Sequence, residues 1–294
     1  MAYPKQSPRL ANIRLHPIKA LDPFFVNEAR IGENGGLEMD RVWALYSADN
    51  RWVNGKRTAA MHLIRSEYAP DISSVTLTVP GDRRNIPPMT FAFPGDTEGA
   101  ALWFSTYFEQ PIQVRYTREG EPDDGLAPGP TIVSSASLEA VCEWFPNLTL
   151  DEARRRFRTT LEIGNGAESA SSGADGALAM HDAGGDGSAA AKLPAFWEDQ
   201  LFAETAESVV RFKIGDVAFE GSNPCARCPV PSRDSYSGMV DEGFQKRFAE
   251  LRRVQLPSWS PAARFDHFYR LATNTRVPGT ELGKVLRVGD SLTL

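Results

Sequence analysis

Three cysteines in 294 residues are too few for a secreted disulfide scaffold, so a reducing, cytoplasmic setting is the expectation. A basic excess is missing too: 32 Lys and Arg stand against 38 Asp and Glu, a net charge of -6. Duplex DNA binders draw affinity from phosphate neutralisation, so nucleic acid is not an expected partner. No apolar run approaches the roughly 20 residues that cross a bilayer. The opening "MAYPKQSPRLANIRLHPIKA" holds none long enough for a signal peptide, and no membrane partner is expected. The G-x-G-x-x-G phosphate cradle is absent, so the chain carries no fingerprint for a flavin or nicotinamide of its own. The histidines at 16, 62, 181 and 267 have no paired, metal-ligand spacing.

What is present is a chain long enough, and at 41% hydrophobic residues apolar enough, for one broad domain or two smaller ones. Short apolar runs with turn signals crowd the first hundred residues. "ANIRLHPIKA" reads as a strand entering a Pro-marked turn. "RVWALYSADNRWVNGKR" reads as strand, turn at Asp49-Asn50, strand. "SSVTLTVPG" and "MTFAFPG" read as strands closed by Pro-Gly. Helix signals come later: "SSASLEAVCEWF" with a Ser N-cap, "LTLDEARRRF" with acids early and arginines late, and "DEGFQKRFAELRRVQ". "VVRFKIGDVAFEG" is strand-like. The expected class is α+β and β-rich, with a β-barrel or sandwich. Residues 164–191 are dominated by Gly, Ala and Ser. Such a stretch cannot bury enough apolar surface to offset its ordering entropy, and reads as a flexible insertion with its His181 and Asp182 solvated.

The segment "GSNPCARCPVPSRDSYSG" places Cys225 and Cys228 at C-x-x-C spacing. Three chemistries fit it. A structural zinc clip needs about four Cys or His ligands, and Cys142 stands alone in an expected helix. A redox dithiol normally opens a helix, but Pro229 and Pro231 stop one from continuing. A single cysteine could ligate a soft metal centre, with Arg227 favouring its thiolate. Asp234 reads as a turn cap and His267 as a half-buried rim residue. Both are candidate polar groups near such a site.

Several further stretches carry a resemblance. "LHPIKAL" is similar to Y-P-[IV]-K-S, and "GLEMDRVWAL" to G-L-x-x-D-R-x-W. "VNGKR" resembles T-x-R-Q, and "TIVSSASLEAV" resembles L-I-L-S-E-A-S-L. "RFRTTLEI" is similar to R-F-R-P-N-I-V-I, and "FWEDQL" to E-D-x-W. "IGDVAFEGSNPCARCPVPSRDSYSG" resembles I-G-x-V-x-L…C-S-R-C-x-x-x-x-x-D-P-x-T-G, and "ELGKVLRVGDSLTL" the ending G-x-I-x-V-G-D-x-V. In this order the motifs resemble the MOSC family, named after the C-terminal domain of molybdenum-cofactor sulfurase. Within it they resemble the two-part proteins that include the mitochondrial amidoxime-reducing component and its bacterial relatives. The resemblance covers nearly the whole chain.

It implies a MOSC N-terminal β-barrel-like part over 8–120 and a MOSC β-barrel with peripheral helices over 121–294, the insertion lying within the second. It implies a molybdenum–pterin cofactor with Cys228 as the catalytic metal ligand. The cofactor-binding set it implies is Lys19, Arg41, Arg158, Ala226 and Arg227, arginine being the better bidentate partner for phosphate. A family-level association with pyridoxal phosphate comes with it. The implied activity is reduction of an N-hydroxylated small molecule, or a related N- or S-oxide. Electrons would come from a separate flavin, haem or iron–sulfur protein. The alternative is a sulfur carrier or non-catalytic MOSC protein with Cys228 as persulfide acceptor. The chain departs from the pattern at Ala20 (for Ser), at Thr159-Thr160 (for Pro-Asn), at Ala226 (for Ser) and at "GLAPGP", which lacks the Asp of S-D-x-S-P. By the resemblance, several side-chain contacts to the pterin would therefore be missing.

Overall fold

Buried positions alternate with half-buried ones in "SVTLT" and with exposed ones in "VRFKI", which marks these stretches as strands with one face on a core. The computed structural model describes residues 8–81, 86–165 and 192–294. Its strands are β1 (Arg9–Leu15), β2 (Phe24–Val26), β3 (Glu28–Arg30), β4 (Trp43–Ser47), β5 (Arg65–Tyr68), β6 (Ser74–Thr78), β7 (Met89–Ala92) and β8 (Ile112–Tyr116). They continue with β9 (Ile132–Ser134), β10 (Leu161–Gly164), β11 (Val210–Ile214), β12 (Val217–Ala226), β13 (Arg270–Arg276), β14 (Val285–Arg287) and β15 (Leu292–Thr293). The helices are α1 (Thr97–Phe108), α2 (Ser135–Trp144), α3 (Leu150–Phe157) and α4 (Phe244–Val254). The expected strand-rich α+β class holds.

An eight-stranded sheet in the order β15-β11-β12-β13-β9-β10-β1-β2 organises the molecule. It mixes strands from both of the expected parts. Its two sides approach where Leu10 N–H donates to Asp290 O at 2.8 Å and Leu292 N–H to Pro8 O at 2.7 Å, but only the Arg9–Ser291 bridge joins them. No closed barrel ladder forms among the described residues. Smaller sheets, β4-β8 and β5-β6-β7, build the N-terminal part.

Helix starts follow the capping signals. Ser134 accepts from Ser137 N–H and Thr149 from Glu152 N–H. Asp96 caps α1, a helix in a stretch whose neighbours read as strands and turns. The second strand expected after Asp49-Asn50 does not form; Trp52 makes only an isolated bridge to Tyr46. Helices α2, α3 and α4 bury a shared aromatic cluster, with Trp144 and Phe248 centroids 5.2 Å apart and Phe145 stacked on Phe244 at 4.2 Å. The flexible insertion expected over 164–191 lies, from 166 onward, outside the described residues, as do His181 and Asp182. Among the described residues no helix is long and apolar enough to cross a membrane.

Candidate functional site

The chain meets itself at one cavity of about 470 Å³. Six stretches wall it: the turn after β1, the loop from Asn34 to Arg41, the loop from Trp52 to Arg65, the loop from Glu119 to Thr131, the end of α3, and the end of β12 with the turn that follows; Asn274 of β13 adds to them. Lys19, Arg41, Arg158, Ala226, Arg227 and Cys228 all line it. Nine Lys and Arg side chains face it against five Asp and Glu, in a chain whose net charge is negative. The cavity is therefore a positive pocket in an acidic protein, and it concentrates anions.

Local backbone explains the aim of two of these cations. Arg41 (φ 56) and Arg158 (φ 50) are non-glycine residues in left-handed conformation, at a cost of about 1–2 kcal/mol each. Arg158 forms the C-cap of α3, so its side chain leaves the helix there. Arg41 is held by the carboxylate of Asp40, whose other oxygen accepts from His16 N–H at 2.6 Å. The loop carrying Arg41 packs on Gly120 (φ 72), where a Cβ would stand 2.2 Å from Asp40 O.

The cysteines sit where β12 leaves the sheet. Ala226 pairs with Arg270 of β13, and Arg227 N–H donates to Tyr269 O at 3.0 Å. Pro229 then begins a single 3-10 turn, Val230–Ser232, in place of a helix. Cys225 and Cys228 are both free, the first buried and the second half-buried. Arg227 Nη1 lies 3.3 Å from Cys225 Sγ, so its guanidinium is turned to Cys225 rather than to the neighbouring Cys228. Burial pushes the Cys225 thiol up, against the pull of Arg227. Cys142, half-buried in α2, packs against the aromatic cluster.

A carboxylate that no motif points to completes the cation group. Asp123 lies 3.3 Å from Lys19 Nζ and 3.6 Å from Arg41 Nε. Water reaches two-thirds of its side chain (66%) although protein walls surround it. Burial alone would raise its pKa; Arg41, Lys19 and Arg158 outweigh that and hold it at about 2. Asp123 stands just before the "GLAPGP" stretch that departs from the family pattern. The Thr159-Thr160 departure is also absorbed. Thr159 is fully buried and accepts from Arg14 Nη2 at 3.0 Å, while Thr160 N–H donates to Thr131 Oγ1 at 3.1 Å.

The other expected residues divide. Asp234 caps its turn, accepting from Tyr236 N–H at 3.1 Å and Ser237 N–H at 2.8 Å. His267 is exposed beside Asp266 and does not line the cavity, which corrects its place near the site. His62 and Arg233 do line it. Neither carries a local signal in the sequence, because the segments that bring them together are far apart along the chain.

The comparisons bear on the N-terminal part. Residues 7–111 match the family profile of the MOSC N-terminal beta barrel domain. That match supports the MOSC resemblance over the stretch that holds Lys19 and Arg41. It does not single out the amidoxime-reducing component, and Arg158, Arg227 and Cys228 lie beyond it. No curated protein matches the chain.

The donor set can be tested against a molybdenum–pterin group. Among the described residues no cluster of three or more His, Cys, Asp or Glu side chains could hold a bare metal ion, which leaves the zinc clip without its ligands. One half-buried thiol with no hydrogen-bond partner among the described residues, in a cavity lined by seven arginines, suits a soft metal that brings its own anionic ligand. Arg227 Nε is buried without an acceptor, and Arg158 bonds only the carbonyl of Leu21, at 2.6 Å. These groups fit such a cofactor. Lys19 Nζ is engaged by Glu121 O at 3.0 Å and by Asp123, which gives it an ion-pairing role rather than that of a free amine for pyridoxal phosphate.

Proposed function

We propose that this chain is a molybdenum-cofactor-binding oxidoreductase with Cys228 Sγ as the protein ligand to the metal. It reduces N-hydroxylated small molecules, or related N- or S-oxides, with electrons from a separate flavin, haem or iron–sulfur protein. One observation carries the reading: Cys228 shares a single cavity with Lys19, Arg41, Arg158 and Arg227, which reach it from four separate stretches. The match of residues 7–111 to the MOSC N-terminal beta barrel domain supports it from a different direction.

When bound, the cofactor supplies the redox centre that accepts the substrate's oxygen. The protein's part is binding and orientation. Lys19, Arg41 and Arg158 offer a phosphate three cations in a partly dry site, where charge-assisted bonds are strong. Asp123 is anionic at neutral pH and balances Lys19 and Arg41; it does not donate a proton. Arg227 bonds Phe157 O at 2.9 Å and so ties the cysteine turn to the end of α3. Cys225, kept protonated by burial, leaves Cys228 as the sulfur available to a metal.

Metal and pterin analysis of freshly purified protein tests this. Wild type should hold molybdenum and pterin in equal amounts. Cys228→Ser should lose the molybdenum with thermal unfolding unchanged, because an alcohol oxygen is a poor ligand for a soft metal. Full molybdenum content and reductase activity in Cys228→Ser would rule the assignment out. The two free thiols facing one cavity favour a second reading, a sulfur carrier. A sulfane-sulfur adduct on Cys228 in metal-free protein would establish it instead.

A further inference from the structure

Seven arginines line the cavity, and their counter-charges can be traced one by one. Arg65 and Arg155 share Asp22, at 3.0 and 3.4 Å. Arg156 takes Glu152 at 2.6 Å, and Arg41 takes Asp40 and Asp123. Three remain with no carboxylate within ion-pair distance among the described residues: Arg158, Arg227 and Arg233. Each is held by backbone carbonyls, Arg227 also by Cys225 Sγ. An arginine steered by a carbonyl keeps its full charge for something else. The cofactor reading above uses Arg158 and Arg227. It gives Arg233 nothing to do.

Arg233 is built into place. Its Nη1 donates to Gly238 O at 2.9 Å, and its Nε is buried without an acceptor. Nη2 bonds nothing among the described residues. The acid next to it in sequence, Asp234, is turned away. Its carboxylate takes Tyr236 N–H, Ser237 N–H and Ser237 Oγ, and lies 3.6 Å from Arg156. Ser235 N–H donates to Glu152 at 2.8 Å, so the turn is pinned on both sides. Gly238 (φ 69) closes it against the 3-10 turn Ala59–Leu63: a Cβ there would stand 2.8 Å from Ala59 O. That turn carries His62, which faces the same cavity and bonds Gly55 O at 3.2 Å. Burial first, then Arg158, Arg233 and Arg65, disfavour a proton on His62, so the ring is a neutral neighbour and adds no charge.

We propose that Arg233, with His62 beside it, recognises a carboxylate on the substrate, so that the molecule reduced at Cys228 is a small carboxylate-bearing N-oxygenated compound. The substrate class rests on the function proposed above; the anion site rests on the geometry alone. A single uncompensated guanidinium matches one negative charge. Arg233 Nη2, which bonds nothing among the described residues, leaves an N–H for a carboxylate oxygen, and the charge strengthens that bond. Leu21, Met61, Ile64 and Val230 line the same cavity and give an apolar body somewhere to lie.

Calorimetric titration of the full chain with benzoate and with benzamide reads the site without any turnover. The two probes share shape and differ in charge. Benzoate should bind at least about tenfold more tightly than benzamide, the scale of one charge-assisted pair in a partly buried pocket. Arg233→Gln should abolish the difference. Arg233→Lys, which keeps the charge and can still reach a carbonyl, should retain part of it and guards against a folding defect in the Gln variant. Equal or undetectable binding of the two probes by wild type, or a benzoate preference surviving in Arg233→Gln, overturns the proposal. Metal-free protein that prefers benzoate keeps this site and loses the redox reading. Molybdenum-loaded protein that treats the probes alike loses this site alone.

Discussion

Two groups of arginines, buried or half-buried, are treated in opposite ways. Arg14 and Arg154 close on Glu162. Arg14 Nη1 is 2.8 Å from one carboxylate oxygen, and Arg154 reaches both, at 2.9 and 2.7 Å. Arg14 spends its other N–H groups on Thr159. Arg158, Arg227 and Arg233 face the cavity held by carbonyls, with no carboxylate in ion-pair range among the described residues. The first group is finished by folding. The second is complete only when an anion arrives. Buried charge that the chain itself neutralises is architecture, and buried charge left open is a binding site.

Breaking the closed group should have the largest effect. Glu162→Gln leaves Arg14, fully buried, without its counter-charge. The expected loss is about 3–5 kcal/mol in urea unfolding at neutral pH. Burial would raise the Glu162 pKa, but Arg14 and Arg154 outweigh it and hold it at about 2. With a folded value below the unfolded one of 4.5, its contribution is complete above 4.5 and is lost as pH falls through 2. A loss under about 1 kcal/mol would mean the pair is no better than a surface ion pair, and the contrast would collapse.

The open group should behave differently. Arg158→Gln removes one carbonyl contact and also relieves repulsion with Arg41. Its stability in buffer should stay within about 1 kcal/mol of wild type. Inorganic phosphate, a probe of the Lys19–Arg41–Arg158 corner, should raise the thermal midpoint of wild type by mass action. That rise should vanish in Arg158→Gln. A variant that unfolds as readily as Glu162→Gln, or keeps its response to phosphate, would place Arg158 with the architecture.

How much of this was legible beforehand follows the same division. The capped helices α2 and α3, and the strands "SVTLT" and "MTFA", announce themselves through local chemistry, because caps and two-residue alternation act within a few residues. Helix α1 does so only through its Asp96 cap. Its "ALWFSTYF" run holds four aromatic residues, which favour strands, and tertiary packing of Trp103, Phe104 and Tyr107 decides it. At "RWVNGKR" the second hairpin strand is lost because the chain turns into the cavity wall; Trp52 bonds Tyr46 with its indole N–H and stacks under Lys19 at 4.0 Å. In the site, Lys19, Arg41, Arg158, Arg227 and Cys228 stand in recognisable motifs. Asp123, His62 and Arg233 do not, since their roles exist only where distant segments meet. The openness of the ladder between β1 and β15 was likewise beyond reach, as it turns on a single long-range bridge.

A second buried glutamate sharpens the comparison with a smaller effect. Glu198, like Glu162, is fully buried and accepts from serines, here Ser134 at 2.8 Å and Ser137 at 2.7 Å. It has no arginine. Oε1 lacks any partner, and Asp199, itself taken by Arg252, is adjacent. Burial, and then Asp199, push its pKa up to about 7, opposite to Glu162. The sign of the pH effect reverses accordingly. The folded state holds this proton more tightly than the unfolded one, so the contribution is complete below 4.5 and is lost as pH rises through about 7. The loss amounts to at most about 3 kcal/mol. His16, buried and held neutral by burial and by Arg158, Arg41 and Arg14, slopes the other way below 6.5, so wild type alone is ambiguous. Subtracting Glu198→Gln from wild type, at pH 5 and again at pH 8 by urea unfolding, removes the His16 term. The variant should gain relative to wild type at the higher pH, because its amide oxygen still accepts from the two serines and carries no charge to bury. An unchanged difference between the two pH values would mean that Glu198 is ionised in the fold at both, with a counter-charge as effective as the one Arg14 gives Glu162.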